Sequence, residues 1–122
     1  MLKVGTDIVE VARLKSSIRS YGGKFLDKIF SENEVLYCES KAFPEQHYAG
    51  KFAAKESIQK ALMAARPELN FPLPKIEINN DANGRPFVKL LDSLNIIHNQ
   101  YQIEISISHV KDYATAIAVV SG

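Results

Sequence analysis

Three polar residues stand where the hydropathy pattern asks for apolar ones: Asp7, Glu56 and His109. Asp7 sits inside the β-branched run Leu2 to Val9 and shares strand parity with Val9. A carboxylate taken out of water costs several kcal/mol unless it is paired or bound to a metal. Glu56 lies in a long helical stretch. On a wheel of about 100° per residue, Tyr48, Ala49, Phe52, Gln59 and Met63 form one mainly apolar stripe, and Glu56 falls within it. His109 ends an alternating run on the parity of Ile103, Ile105 and Ile107. Two carboxylates from different elements suit a hard cation, and magnesium is usually held by one or two carboxylates, waters and substrate phosphates. Lys51, Lys55 and Lys60 surround Glu56 and suit the phosphates. No Cys/His cluster has zinc spacing, and Gly22-Gly23 lacks the Gly-Lys-Ser/Thr ending of a phosphate-binding loop.

Each of these residues also has a structural explanation. Asp7 alone reads as a buried salt bridge or as a cap on Thr6 or a backbone amide. Glu56 reads as an i,i+4 partner of Lys60, worth a few tenths of a kcal/mol, which explains a boundary position but not burial. His109 alone reads as a hydrogen-bonded histidine at the edge of a core. His47 and His98 stand in polar surroundings and receive no role.

These residues need elements to carry them. Leu2 to Val9 reads as a strand, with Val4 and Ile8 on one face and Val9 on the other, a pattern that predicts cover on both sides. Glu10 to Tyr21 reads as a helix ended by Gly22-Gly23, and a short helical turn follows over 25–30. Ser31 with Glu34 fits a capping box opening a helix to about Ser40. Pro44 precedes the longest helix, Glu45 to Ala65, which Pro67 stops. Pro72-Leu73-Pro74 is a linker. Lys75 to Asn79 and Arg85 to Leu91 form a hairpin around Asn83-Gly84. Asp92 to Gln100 is a short helix or loop. Gln102 to His109 and Tyr113 to Val120 are strands, the latter with Ala114, Ala116 and Ala118 on one side. A strand, then helices, then antiparallel strands argue an α+β fold.

The chain has 122 residues, 46% hydrophobic and 24% charged. That fits a single globular domain, residues 1–122, with a core that needs no staples. The net charge of +1 excludes the global basic field of a nucleic-acid binder. The segment Glu10 to Lys28 nonetheless carries five basic residues (Arg13, Lys15, Arg19, Lys24, Lys28) against Glu10 and Asp27. The ordinary reading is a solvated face, and the sharper one a docking surface for an acidic protein. Few aromatics interleave these charges, which argues against single-stranded nucleic acid. One cysteine, Cys38, precludes an intrachain disulfide. An acid within the first apolar stretch does not fit a signal peptide, and no apolar run spans a membrane. A cytoplasmic location is expected.

Four segments together resemble the holo-(acyl-carrier-protein) synthase family. Gly5-Thr6-Asp7-Ile8-Val9-Glu10-Val11 with Arg13 resembles its N-terminal signature. Phe52-Ala53-Ala54-Lys55-Glu56 resembles its central helix motif, and Asn80 to Pro86 its hairpin. Ile105-Ser106-Ile107-Ser108-His109 resembles its C-terminal strand. The four fall in order across essentially the whole chain.

The resemblance implies the 4′-phosphopantetheinyl transferase fold, with an N-terminal strand and helices packed on a mainly antiparallel sheet. It implies a magnesium-dependent enzyme of fatty acid biosynthesis. The phosphopantetheine arm of coenzyme A moves to a serine of apo-acyl carrier protein, and adenosine 3′,5′-bisphosphate is released. By position, Asp7 and Glu56 match the family's metal ligands. Lys51, Lys55, Lys60 and His109 match contacts to coenzyme A. Arg13, Lys15, Arg19 and Lys24 match the surface for the carrier protein. A homotrimer with active sites at subunit interfaces is implied as well. In the expected reaction magnesium neutralises charge as the serine oxygen attacks the β-phosphorus. Glu56 is favoured as base over Asp7 and His109, and Lys60 or Lys55 meets the leaving phosphate.

The chain departs from the family at Met63-Ala64-Ala65-Arg66-Pro67, where a Gly-Thr-Gly stretch is common. It also has Ser57 for a common alanine, and Lys51 for an arginine that would hold phosphate bidentately. Two other classes remain distinct readings: a non-catalytic module docking an acidic protein, which needs neither Asp7 nor Glu56, and a magnesium phosphohydrolase, which gives the basic segment no role.

Overall fold

The structure, a computed structural model, describes residues 1–122. The β-branched N-terminus forms strand β1 (Leu2–Glu10), followed by helices α1 (Val11–Tyr21), α2 (Gly23–Ile29), α3 (Glu32–Glu39) and α4 (Pro44–Ala65). Strands β2 (Ile76–Asn80) and β3 (Pro86–Leu90), helix α5 (Asn95–Gln100) and strands β4 (Gln102–His109) and β5 (Tyr113–Ser121) complete the chain. The linker at Pro72 closes into a single 3-10 turn, Leu73–Lys75. The expected α+β class holds, and the strands divide into two antiparallel sheets: β1-β5-β4, and the hairpin β2-β3.

Local signals place the ends of these elements. Gly22 stops α1 at φ 55°, a conformation that favours glycine. The capping box forms as written: Ser31 Oγ accepts from the Glu34 amide at 3.3 Å, and Glu34 Oε1 accepts from the Ser31 amide at 2.8 Å. Gly84, at φ 81°, closes the β2–β3 turn.

The core forms where α4 lies across the three-stranded sheet. Ala53, Ala54 and Ala61 face Ala116 and Ala118, with Ile58, Leu62 and Val120 filling the space between. Small residues on both sides let helix and sheet come close. The closest approach is at Gly5, where a Cβ would lie 1.9 Å from the Ser57 carbonyl oxygen. Ser57 Oγ secures the crossing: it lies 2.7 Å from Ala53 O and 3.1 Å from Ala116 O, and its single proton is shared between these two carbonyls. In the β1–β5 ladder Asp7 stands opposite Ala116 and Gly5 opposite Ala118. Asp7 therefore faces α4 one step from the tightest contact, because side chains two apart share a face.

The expectation that β1 is covered on both sides is corrected. Val4 and Ile8 are exposed, as are Leu2, Tyr113 and Ile117 on the same sheet face. The helices cover only one side of the sheet, and the apolar residues of the other side meet solvent in the isolated chain.

Candidate active site

Gly5 against Ser57 brings β1 onto α4, and this contact assembles a cleft of about 450 Å³. Asp7 and Glu56 both line it, with Arg13 from α1 and the rings of Phe25 and Phe52. Asp7 Oδ1 accepts from Lys60 Nζ at 3.1 Å, and the same ammonium donates to Thr6 O at 3.0 Å. The Asp7 side chain is 14% exposed and that of Lys60 54%. Lys60 thus pairs with Asp7 rather than with Glu56, which corrects the i,i+4 alternative. Burial first, and then the Asp7 charge, push the Glu56 carboxyl above its ordinary range, against the pull of Lys60. Two like charges face one space that a single ammonium only partly neutralises.

This donor set fits magnesium. It offers two hard carboxylates from different elements in an open cleft, room for substrate oxygens, and no soft ligand. No group of three His, Cys, Asp or Glu side chains forms a complete cage. Such a pair suits an ion that also takes oxygens from water and substrate.

The remaining predicted residues divide among four other places. Lys51 and His109 line a second cleft of about 250 Å³, with Tyr37, His47, Gly50 and Asn80. Lys51 is 4% exposed. Its Nζ donates to Ile78 O at 2.7 Å and to Asn80 Oδ1 at 2.8 Å, and lies 4.4 Å from the Tyr37 ring centre. His109 is exposed at the end of β4, which corrects the reading of a histidine at a core edge. A single chain therefore keeps the pair Lys51 and His109 apart from the pair Asp7 and Glu56.

Lys55 is the plainest correction. Its side chain is fully buried and its Nζ lies 2.5 Å from Glu34 Oε1, whose side chain is equally buried. Glu34 Oε2 accepts from the Ile78 amide at 2.8 Å. The ammonium thus ties α3 and β2 to α4 and faces neither cleft, so the expectation of a phosphate contact does not hold. Burial drives its pKa down and the Glu34 charge opposes that shift.

The basic set also divides. Arg13 is at the Asp7–Glu56 cleft. Lys15 and Arg19 line a shallow groove near Tyr48, where Lys15 lies 3.8 Å from Glu45. Lys24 is exposed on α2.

The buried face of α4 differs from the expected apolar stripe. Tyr48 and Ala49 are buried, but Met63 is 51% exposed. The buried face runs instead through Ala54, Ile58, Ala61 and Leu62, and includes Lys51 and Lys55. Hydropathy overlooks a lysine whose stem and head are both enclosed. His47, which the polar surroundings in the sequence leave without a role, has its ring centre 5.9 Å from that of His109. Its spacing of four from Lys51 was the available signal, since residues i and i+4 share a helix face.

Along nearly its whole length the chain is similar to proteins of one family. The model of the 4′-phosphopantetheinyl transferase superfamily matches residues 3–118. A holo-(acyl-carrier-protein) synthase of Protochlamydia amoebophila is 42% identical over 118 residues, covering 97% of this chain and 96% of the relative. The solved structure of the Neisseria meningitidis holo-(acyl-carrier-protein) synthase superposes with a TM-score of 0.85 at 26% identity, covering 98% of each chain. That of the Helicobacter pylori enzyme in complex with coenzyme A gives 0.80 at 32% identity, covering 97% of this chain and 99% of the other.

Proposed function

The chain belongs to the 4′-phosphopantetheinyl transferase superfamily, and on that premise we propose that it is a holo-(acyl-carrier-protein) synthase. It transfers the 4′-phosphopantetheine arm of coenzyme A to a serine of apo-acyl carrier protein, releases adenosine 3′,5′-bisphosphate, and so supports fatty acid biosynthesis. The observation that carries this reading is the convergence of Asp7 and Glu56 in one cleft, inside a match that spans nearly the whole chain.

In this reading Asp7 and Glu56 hold magnesium. Bound there, the ion would supply charge neutralisation to the phosphoryl group in transfer and orient its oxygens. Glu56 takes the proton from the serine hydroxyl as the new oxygen–phosphorus bond forms. Lys60, half exposed beside Asp7, meets the departing phosphate as its bond to the β-phosphorus breaks. Lys51 and His109 bind a phosphate of coenzyme A. Arg13, beside the carboxylates, together with Lys15, Arg19 and Lys24, receives the acidic carrier and brings its serine to the cleft.

Two features of the isolated chain support a homotrimer with its sites at subunit interfaces. The sheet leaves Leu2, Val4, Ile8 and Ile117 uncovered, an apolar face of the kind that a second copy buries. The coenzyme-binding and metal-binding residues stand in separate clefts, which a neighbouring subunit would join. Residues 1–122 act as one domain. A cytoplasmic location is consistent with one buried free cysteine and with no helix long and apolar enough to cross a membrane.

The test is direct. Incubating the chain with coenzyme A, magnesium and apo-carrier protein should add the mass of phosphopantetheine to the carrier. Hydrolysis of coenzyme A without modification of the carrier would make the chain a phosphohydrolase. An unmodified carrier that binds the chain tightly without magnesium would make it a docking module.

A further inference from the structure

We propose that His47 is a second imidazole ligand for coenzyme A: with His109 it forms a phosphate-binding pair that takes up a proton as the anion binds. The inference rests on the reading of coenzyme A as the substrate, and adds to it a residue and a pH dependence.

The geometry of the second cleft carries the argument. The two rings stand 5.9 Å apart between centres at 61° to each other, and both line the cavity. They reach it from different elements, His47 from the first turns of α4 and His109 from the end of β4. Gly50 lets them meet: a Cβ there would lie 3.2 Å from Ile107 Cγ2 and 4.0 Å from His109 Cδ2. The cleft lining contains no aspartate or glutamate.

Lys51, the cation expected to grip phosphate, is already engaged. Two of its three N–H donors go to Ile78 O and Asn80 Oδ1. It contributes a positive charge and at most one free donor, and among the other lining side chains only the two imidazoles can gain a positive charge as an anion binds. The charged and titratable groups facing His47 are Tyr37 of α3, Lys41 after α3, Lys51 of α4 and His109 of β4. Burial, and then the charges of His109, Lys41 and Lys51, hold His47 below the ordinary histidine range. The free protein therefore keeps it largely neutral at neutral pH. A phosphate beside it favours the imidazolium, so binding absorbs a proton. Affinity is then greatest at low pH and declines as pH rises through the His47 pKa of the complex.

Proton NMR of the full-length wild-type chain, with the His47 ring peak assigned from His47→Gln, tests this without requiring the variant to be active. Saturating adenosine 3′,5′-bisphosphate should raise the His47 titration midpoint by about one unit, equivalent to a tenfold difference in affinity between the two protonation states. Titration calorimetry should show coenzyme A binding weakening with pH more steeply in wild type than in His47→Gln. Repeating it with dephospho-coenzyme A identifies the bound group: loss of the extra steepness assigns the 3′-phosphate, and its persistence assigns the diphosphate. A His47 midpoint unmoved by ligand, in a chain that still modifies the carrier, overturns this inference alone. Failure to bind coenzyme A and to modify the carrier overturns the functional reading beneath it.

Discussion

Helix α4 carries two lysine–carboxylate pairs of identical chemistry and opposite character. Lys55 and Glu34 are both fully buried, and the carboxylate also accepts from the Ser31 and Ile78 amides. Lys60 and Asp7 sit at the rim of an open cleft, 3.1 Å apart, with Glu56 beside them. The dry pair is saturated: its oxygens have donors from three elements, and neither charge faces a ligand. The wet pair leaves carboxylate oxygens free and two like charges incompletely neutralised. Reactivity resides where charge is left unsatisfied, and a fully satisfied ion pair serves architecture.

The comparison breaks first, if it breaks, at the open site. Glu56→Ala should lower kcat roughly a thousandfold, about 4 kcal/mol of barrier, while the melting temperature stays within a few degrees of wild type. Asp7→Ala should behave alike. Turnover near wild type in saturating magnesium would remove the carboxylates from the chemistry and reduce both pairs to structure.

The complementary variant is Lys55→Met, which strands the Glu34 carboxylate in the core. Removing one partner of a buried pair typically costs 3–5 kcal/mol. The loss here should fall near the low end, about 3 kcal/mol by denaturant unfolding, because Glu34 keeps two backbone donors. Combining it with Glu34→Gln should recover part of that loss. A single variant as stable as wild type would show that the pair does not hold α3 and β2 to α4.

The two regions were unequally legible in the sequence. Asp7 stood out because an acid inside a β-branched run violates hydropathy, and the capping box at Ser31 and Glu34 was readable from its spacing. That Glu34 then passes inward to meet Lys55 was not readable: the pairing spans 21 residues and depends on how α3 packs on α4. The same holds for Gly5, whose need for glycine becomes visible only when the Ser57 carbonyl is set against it. Alternation gave β1 two apolar faces, but pattern alone does not say what covers each, and one chain covers only one. Local periodicity marks which residues are unusual, and the packing of distant elements decides whether an unusual residue is satisfied.

That distinction can be sharpened by the smallest effect, the stability cost of an unsatisfied carboxylate. With its pKa raised in the folded chain, Glu56 holds a proton that the unfolded chain has lost, in the window from about pH 4.5 up to its folded pKa. Stability therefore falls as pH rises through that window and levels off above it. Glu56→Gln removes this contribution. In chelator at pH 7 the variant should be more stable than wild type, and the advantage should disappear below about pH 4.5. Because Glu56 is partly solvated, the difference should stay under about 1 kcal/mol. Other carboxylates titrate in the same range, so the quantity to read is the difference between variant and wild type across pH. Magnesium should then raise the melting temperature of wild type more than that of Glu56→Gln, since an ion that binds only the folded state stabilises it by mass action. Equal stability at pH 7 together with an equal response to magnesium would place Glu56 among ordinary surface acids and leave Asp7 with Lys60 as one more structural pair.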